Sequence, residues 1–66
     1  MTFQDVIDLW PTARSLAEDL DENTATVHKW RQRNNIPGEK WLALSQAAQR
    51  RGYKVPLISL ARLGAH

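Results

Sequence analysis

Three prolines, at positions 11, 37 and 56, limit the length of every element this chain can form. The residue before a proline is pushed out of helical geometry, and proline itself is accepted in the first turn of a helix. Between the prolines, apolar residues recur with the period of helices buried on one side, and strand-like alternation is absent from the sequence. The chain is therefore predicted to be all-α, a compact bundle of four to five short helices.

Capping residues and apolar spacing predict where the helices lie. Thr2 with Asp5, Thr12 and Asn23 have the side chains that cap helix N-termini, and Gly52 is placed to end a helix. The predicted helices span about 3 to 9, 13 to 20, 24 to 34, 37 to 51 and 57 to 63. Their inward stripes include three tryptophans, predicted to pack in the core rather than to stack on single-stranded nucleic acid: Trp10, Trp30 and Trp41.

Length and composition exclude several classes of protein. The 66 residues support one hydrophobic core, so a single domain over 1–66 is expected. The absence of cysteine excludes disulfides and thiolate metal sites and fits a cytoplasmic protein. No apolar run approaches the roughly 20 residues of a membrane span, and the start does not resemble a signal peptide. Met1 and the uncharged, small-residue end lead us to expect a complete small protein, and the alternative is one domain of a longer protein.

Charge is distributed unevenly along the chain. Up to Glu22 there are six acids and one base, whereas from Asn23 onward there are eight bases and one acid, Glu39. The asymmetry suggests one face that attracts a polyanion and another that repels it, and the alternative is an unevenly charged solvated surface. Arg50 and Arg51 are expected to complement the dipole at the end of the fourth helix, with a phosphate contact as the alternative.

The second and third predicted helices form a helix-turn-helix over about residues 12–35. They are joined by Asp21-Glu22-Asn23, and Ala17 is small enough for the two helices to approach closely. The third helix has a narrow inward stripe of Val27, Trp30 and Asn34. Its opposite side is polar and basic and consists of Ala25, His28, Lys29 and Gln32. Such a pair of helices is the arrangement that places a helix in the DNA major groove.

Three runs in this region resemble the Cro/CI-type helix-turn-helix family of phage and prophage repressors, whose fold is lambda-repressor-like. They are Leu16-Ala17-Glu18-Asp19-Leu20, Val27-His28-Lys29-Trp30-Arg31 and Ile36-Pro37. The resemblance covers roughly residues 12 to 45. It implies a sequence-specific regulator of transcription, a Cro/CI-like repressor, that binds double-stranded DNA at a near-palindromic operator through the helix 24–34.

The resemblance also implies which residues contact DNA. The base-contacting residues would be Thr24, Ala25, His28, Lys29 and Gln32, whose side chains suit the edges of guanine, adenine and thymine. The phosphate-contacting residues would be Thr12, Arg14, Asn23, Arg31, Arg33, Asn35 and Lys40. Two positions depart from the family pattern. Asp21 stands where glycine is common and is expected in the left-handed conformation, and Glu22 replaces an aliphatic residue with an acid near the DNA side.

The segment from Val55 to Leu63 has more apolar surface than one contact requires. It is predicted to form a homodimer interface, because repressors with this motif commonly bind two half-sites about one helical turn apart. The predicted interface residues are Val55, Leu57, Ile58, Leu60 and Leu63, and the alternative is that the segment caps the core of one chain.

No catalytic or metal-ligating pattern is present, so no enzyme is expected. The alternative function is a protein-interaction module, such as an antitoxin-like protein, an anti-repressor or a regulator that binds RNA polymerase, with Glu22 and the acidic first helices as its surface.

Overall fold

The computed structural model describes residues 1–65 and contains five α-helices and no strand in that range. Helix α1 spans Phe3–Ile7, α2 Ala13–Asp19, α3 Thr24–Arg33, α4 Trp41–Arg50 and α5 Leu57–Gly64. One turn of 3-10 helix, Gly38–Lys40, precedes α4. The most extensive packing is between α2 and α3, and α1 packs on α3. The predicted all-α fold is confirmed.

The three predicted N-caps are present. Thr2 and Asp5 form a capping box, in which the Thr2 hydroxyl accepts the Asp5 N–H at 3.1 Å and the Asp5 carboxylate accepts the Thr2 N–H at 2.9 Å. The Thr12 hydroxyl accepts the Ser15 N–H at 3.1 Å, and the Asn23 side-chain oxygen accepts the Ala25 N–H at 3.0 Å. These bonds satisfy backbone donors that the first turn of a helix leaves without partners, so they set where α1, α2 and α3 begin.

Helices α2, α3 and α4 all end in the same way. Each is followed by a residue with positive φ, Asp21 at 54°, Asn34 at 52° and Gly52 at 83°. The next N–H donates to the carbonyl five residues earlier, with N···O distances of 2.7, 3.0 and 2.9 Å respectively. This is the Schellman arrangement, which satisfies carbonyls that the last turn would leave free. The expected left-handed Asp21 and the helix stop at Gly52 are both confirmed.

Gly52 allows a direct test of this helix end. A Cβ atom built at Gly52 meets nothing within 4 Å, so Gly52→Ala should be destabilising only through its backbone conformation. We expect the free energy of unfolding to fall by about 1 kcal/mol, measured by denaturant titration. Gly38→Ala is the matched control, because Gly38 has equally open surroundings without a positive φ. Equal losses for the two variants would contradict this explanation.

Three predicted boundaries or positions are wrong. Helix α1 ends at Ile7 rather than near residue 9, because Pro11 forces the preceding residues into turns closed by the Leu9 and Trp10 N–H groups. Pro37 does not open the fourth helix: its ψ of 139° is extended, and α4 begins only at Trp41. Asn34 does not face inward. It is exposed beyond α3, where its side-chain oxygen accepts the Gln4 N–H at 3.0 Å.

The hydrophobic core contains side chains from all five helices. Ala17 and Val27 are buried where α2 meets α3, which confirms the predicted small residue at that crossing. The core packing predicted for the tryptophans is also confirmed: Trp10 and Trp30 are buried, and Trp41 is half-buried against the core. The buried core residues are Phe3, Val6, Ile7, Trp10, Leu16, Ala17, Val27, Trp30, Ile36, Leu44, Ala47, Ala48, Val55 and Leu60.

Helix α5 packs on the core rather than standing free, which corrects part of the predicted dimer interface. Val55 and Leu60 are buried inside the chain, and Leu63 is half-buried against the core. Val55 and Leu60 are therefore covered by their own chain and are not available to a second copy. Gly64 lets α5 approach, since a Cβ atom there would lie 2.9 Å from the Trp41 ring. Leu57 and Ile58 remain exposed.

Candidate nucleic-acid interface

The side of α3 that was predicted to contact DNA bases faces solvent. Ala25, His28, Lys29 and Gln32 are all exposed, while Val27 and Trp30 on the opposite side are buried. Thr24 is half-buried at the edge of this surface. Within residues 1–65 the four outward side chains make no hydrogen bond or ion pair, so their donors and acceptors face solvent. We call these four residues the outward face of α3.

Both ends of α3 are held by other parts of the chain. At the N-terminal end, the Asn23 cap and the left-handed Asp21 fix the turn from α2. At the C-terminal end, the Gln4 side-chain amide donates to the Arg31 carbonyl at 2.8 Å, and the Gln4 backbone N–H donates to Asn34. Helix α1 therefore stabilises the C-terminal end of α3 by hydrogen bonds that no sequence pattern predicted. The outward face is presented by a helix with fixed orientation.

Arg31 was predicted to contact phosphate, and the structure pairs it with Asp8, the residue that follows α1. Its Nε donates to Asp8 Oδ1 at 2.9 Å and its Nη2 donates to Asp8 Oδ2 at 3.1 Å. This bidentate hydrogen bonding lowers the pKa of Asp8 and raises that of Arg31. Both side chains remain about half exposed. The pair therefore lies at the surface, on the flank of α3.

Lys40 was also predicted to contact phosphate, and its ammonium lies 2.7 Å from the Glu22 carboxylate. Glu22 directly precedes the N-cap of α3, whereas Lys40 ends the 3-10 turn before α4. The hydrogen bond from Lys40 lowers the pKa of Glu22 and raises that of Lys40, so both stay charged around neutrality. The acid predicted near the DNA side is therefore present, but its charge is matched by a lysine.

The other predicted phosphate contacts differ in how far they are engaged. Arg14 pairs with Glu18 at 3.1 Å, but the side chains are 80% and 66% exposed, so this contact contributes little and leaves Arg14 accessible. Arg33 and Asn35 are exposed beside a cleft at the C-terminal end of α3, and Arg33 makes no ion pair within the described residues. Thr12 and Asn23 use a side-chain oxygen as helix caps.

Asp19 is a residue whose role the sequence did not reveal. Its carboxylate accepts hydrogen bonds from Arg51 Nε and, at 3.2 Å, Arg51 Nη2, and from Trp10 Nε1 at 2.8 Å. The hydrogen bonds from Arg51 lower the pKa of Asp19 most, and the bond from Trp10 lowers it further. They join the end of α2 to the end of α4 and to the turn after α1. The expected role of Arg51 at the helix end is thus extended to a long-range ion pair.

The three long-range ion pairs change the interpretation of the charge asymmetry. Asp8–Arg31, Asp19–Arg51 and Glu22–Lys40 each join an acid from the N-terminal third to a base from the remainder. The acidic and basic parts of the chain thus meet at these three places in the folded protein. Among residues 1–65, the bases without an ion pair include Lys29 on the outward face of α3 and Arg33 on its flank.

Metal sites, clefts and membrane-spanning helices were also considered for residues 1–65. No cluster of histidine and acidic residues there could hold a metal ion. One cleft lies between α4 and the segment before α5, is lined by Ser45, Tyr53 and Pro56 among others, and contains no residue of α3. None of the described helices has the length and apolar character required to cross a membrane.

Two of the predicted dimer-interface residues, Leu57 and Ile58, remain exposed. Leu57 is 44% and Ile58 is 60% exposed, and both lie in the first turn of α5. Unlike Val55, Leu60 and Leu63, they have apolar surface that the core does not cover.

The chain was compared with known protein families, proteins and structures. The chain matches no family model, no curated protein and no solved structure.

Proposed function

We propose that the chain is a sequence-specific double-stranded DNA-binding regulator of transcription, of the Cro/CI repressor kind, that reads base edges with the outward face of α3. The observation that carries the proposal is a polar, solvent-facing helix surface held at both ends within a helix-turn-helix. Such a helix fits the major groove, where a lysine, a histidine and a glutamine can read bases by hydrogen bonding. The proposal implies action at the nucleoid.

Backbone contacts come from the flanks of the same surface. Arg33 and Asn35 lie beyond one end of the outward face, and Arg14 near the start of α2 is held only by an exposed pair. Side chains of this kind position a protein on the duplex without reading its sequence. Thr24 remains a proposed base contact at the start of α3. Thr12 and Asn23 remain proposed phosphate contacts near the N-termini of α2 and α3, where backbone N–H groups favour phosphate.

A homodimer forms part of the proposal. The second copy would contact the exposed Leu57 and Ile58 of α5 and bring two α3 helices to half-sites about one helical turn, ~34 Å, apart. Complete burial of two such side chains contributes only a few kcal/mol per chain, which is close to the free energy that association itself consumes. We therefore expect the dimer to be weak in solution and to form on a two-half-site duplex.

A direct test is selection of bound sequences from random duplexes, followed by footprinting and a salt titration. We expect a near-palindromic consensus and an affinity that falls steeply with salt, with a slope of about 0.9 for each phosphate neutralised. Enrichment of no sequence, together with an affinity that hardly changes between low and moderate salt, would count against DNA recognition.

The second candidate function is a protein-interaction module, and exposed apolar residues favour it. Leu42 on α4 is 56% exposed, in addition to Leu57 and Ile58, and DNA reading would not use it. A partner such as RNA polymerase or another regulator would cover such residues. Salt dependence separates the candidates, because apolar contact with a protein would not release counterions from a phosphate backbone.

A further inference from the structure

Two carboxylates hold basic side chains at opposite ends of α3. Asp8 bonds both Nε and Nη2 of Arg31, in the last turn of α3. Glu22 holds Lys40 at 2.7 Å, immediately before the N-cap of that helix. Both acids come from outside α3, and both bases were predicted from the sequence to contact phosphate. The outward face of α3 is thus bracketed by two cations that already have anionic partners.

Each carboxylate occupies donors that a phosphate could also use. Arginine binds phosphate and carboxylate alike through two parallel N–H groups, and Asp8 takes the edge of Arg31 formed by Nε and Nη2. The Lys40 side chain is 34% exposed, and a phosphate that binds its ammonium would lie close to the Glu22 carboxylate, whose side chain is 21% exposed. The hydrogen bonds from Arg31 and Lys40 lower the pKa of Asp8 and Glu22, so the pairs favour the charged form of each acid.

We propose that Asp8 and Glu22 are intramolecular competitors of DNA phosphates for Arg31 and Lys40, and that they hold down the affinity of this surface for duplexes of any sequence. This inference rests on the proposed DNA binding. It assigns the two acids a part in specificity, because sequence-independent affinity depends almost entirely on phosphate contacts. Weakening those contacts leaves a larger share of the binding free energy to the outward face of α3.

The competition has a signature in salt dependence. When a phosphate takes Lys40 from Glu22, the DNA releases a counterion, but the freed carboxylate attracts a cation from solution. Net ion release from that contact is therefore small. If Glu22 is replaced by neutral glutamine, the release is complete, and the slope of log K against log salt should steepen by up to about 0.9.

The experiment compares Glu22→Gln and Asp8→Asn with Asp21→Asn as matched control. Asp21 lies next to Glu22, makes no ion pair within residues 1–65, and has a left-handed backbone that asparagine accepts. Binding of a random-sequence duplex is measured from 0.05 to 1 M salt. We expect Glu22→Gln to bind about eightfold more tightly at ~0.1 M, a gain that vanishes toward ~1 M. Asp8→Asn should act in the same direction by less, because its pair is more exposed and better screened.

A second substitution identifies the cation responsible. Lys40→Ala should abolish the gain of Glu22→Gln when the two are combined, and circular dichroism should show that all variants remain folded. Equal changes in affinity and slope for Glu22→Gln and Asp21→Asn would overturn the inference, since net charge alone would then explain both. Failure of the parent protein and of every variant to bind any duplex would instead overturn the proposed function, and the inference with it.

Discussion

Replacing Leu60 with alanine is expected to lower the free energy of unfolding by about 3 kcal/mol. The side chain is fully buried in the core on the inner side of α5. Truncation removes apolar contacts and leaves a cavity that a core of this size has few residues to fill. Because domains this small have only a few kcal/mol of stability, thermal and urea unfolding followed by circular dichroism should show a large loss of folded protein.

Ile58→Ser is the matched comparison, two residues away on the outer side of the same helix. Ile58 is 60% exposed, so its replacement should change the unfolding free energy by no more than about 0.5 kcal/mol. Its effect should instead appear in DNA binding, as weaker binding of a duplex with two half-sites and unchanged binding of a single half-site. Equal destabilisation by Leu60→Ala and Ile58→Ser would contradict the orientation of α5. Equal losses on both duplexes would contradict the proposed dimer surface.

Lys29→Ala is expected to weaken binding to the selected DNA sequence about 5- to 150-fold, equivalent to about 1–3 kcal/mol. Lys29 is exposed on the outward face of α3 and has no ion pair among residues 1–65, so its ammonium is free to donate to base acceptors such as those of guanine. The loss should be accompanied by relaxed preference at one base pair. Titration of a panel of duplexes, each with one base pair changed, measures both effects.

Arg33→Ala supplies the comparison for Lys29, because Arg33 lies on the same helix but on the flank of its outward face. We expect it to weaken binding to all duplexes alike and to reduce the salt slope by about one. If both variants lost affinity equally on every duplex, Lys29 would act as a phosphate contact and the proposed division between reading and positioning would be wrong.

Local features of the sequence were enough to predict much of the fold. Thr2, Thr12 and Asn23 were predicted as caps and are caps, and Gly52 was predicted as a helix stop and is one. Such signals are reliable because each bond joins residues a few positions apart, so the same contact forms whatever the rest of the chain does. The outward face of α3 was predictable for a similar reason, since the helical period alone separates it from Val27 and Trp30.

Residues near the prolines were harder to place. Pro37 has the backbone geometry of an extended segment, although proline is also favoured at the first position of a helix. The Trp41 indole N–H donates to the Ile36 carbonyl at 2.8 Å, and this contact shows how the chain enters α4. Trp10 is buried although it lies outside any helix, because a turn brings its indole to Asp19. Neither contact follows from a periodic pattern.

The sequence by itself determined the all-α class, the helix-turn-helix and the polar side of α3, because short-range hydrogen bonds and the helical period are properties of neighbouring residues. Only the tertiary structure decided that Leu60 faces inward while Ile58 faces solvent, and that Glu22 meets Lys40. An apolar helix can be buried by any of several sides, and an acid can pair with any base that the fold brings near. Such choices depend on where distant segments pack, and that is a property of the whole core.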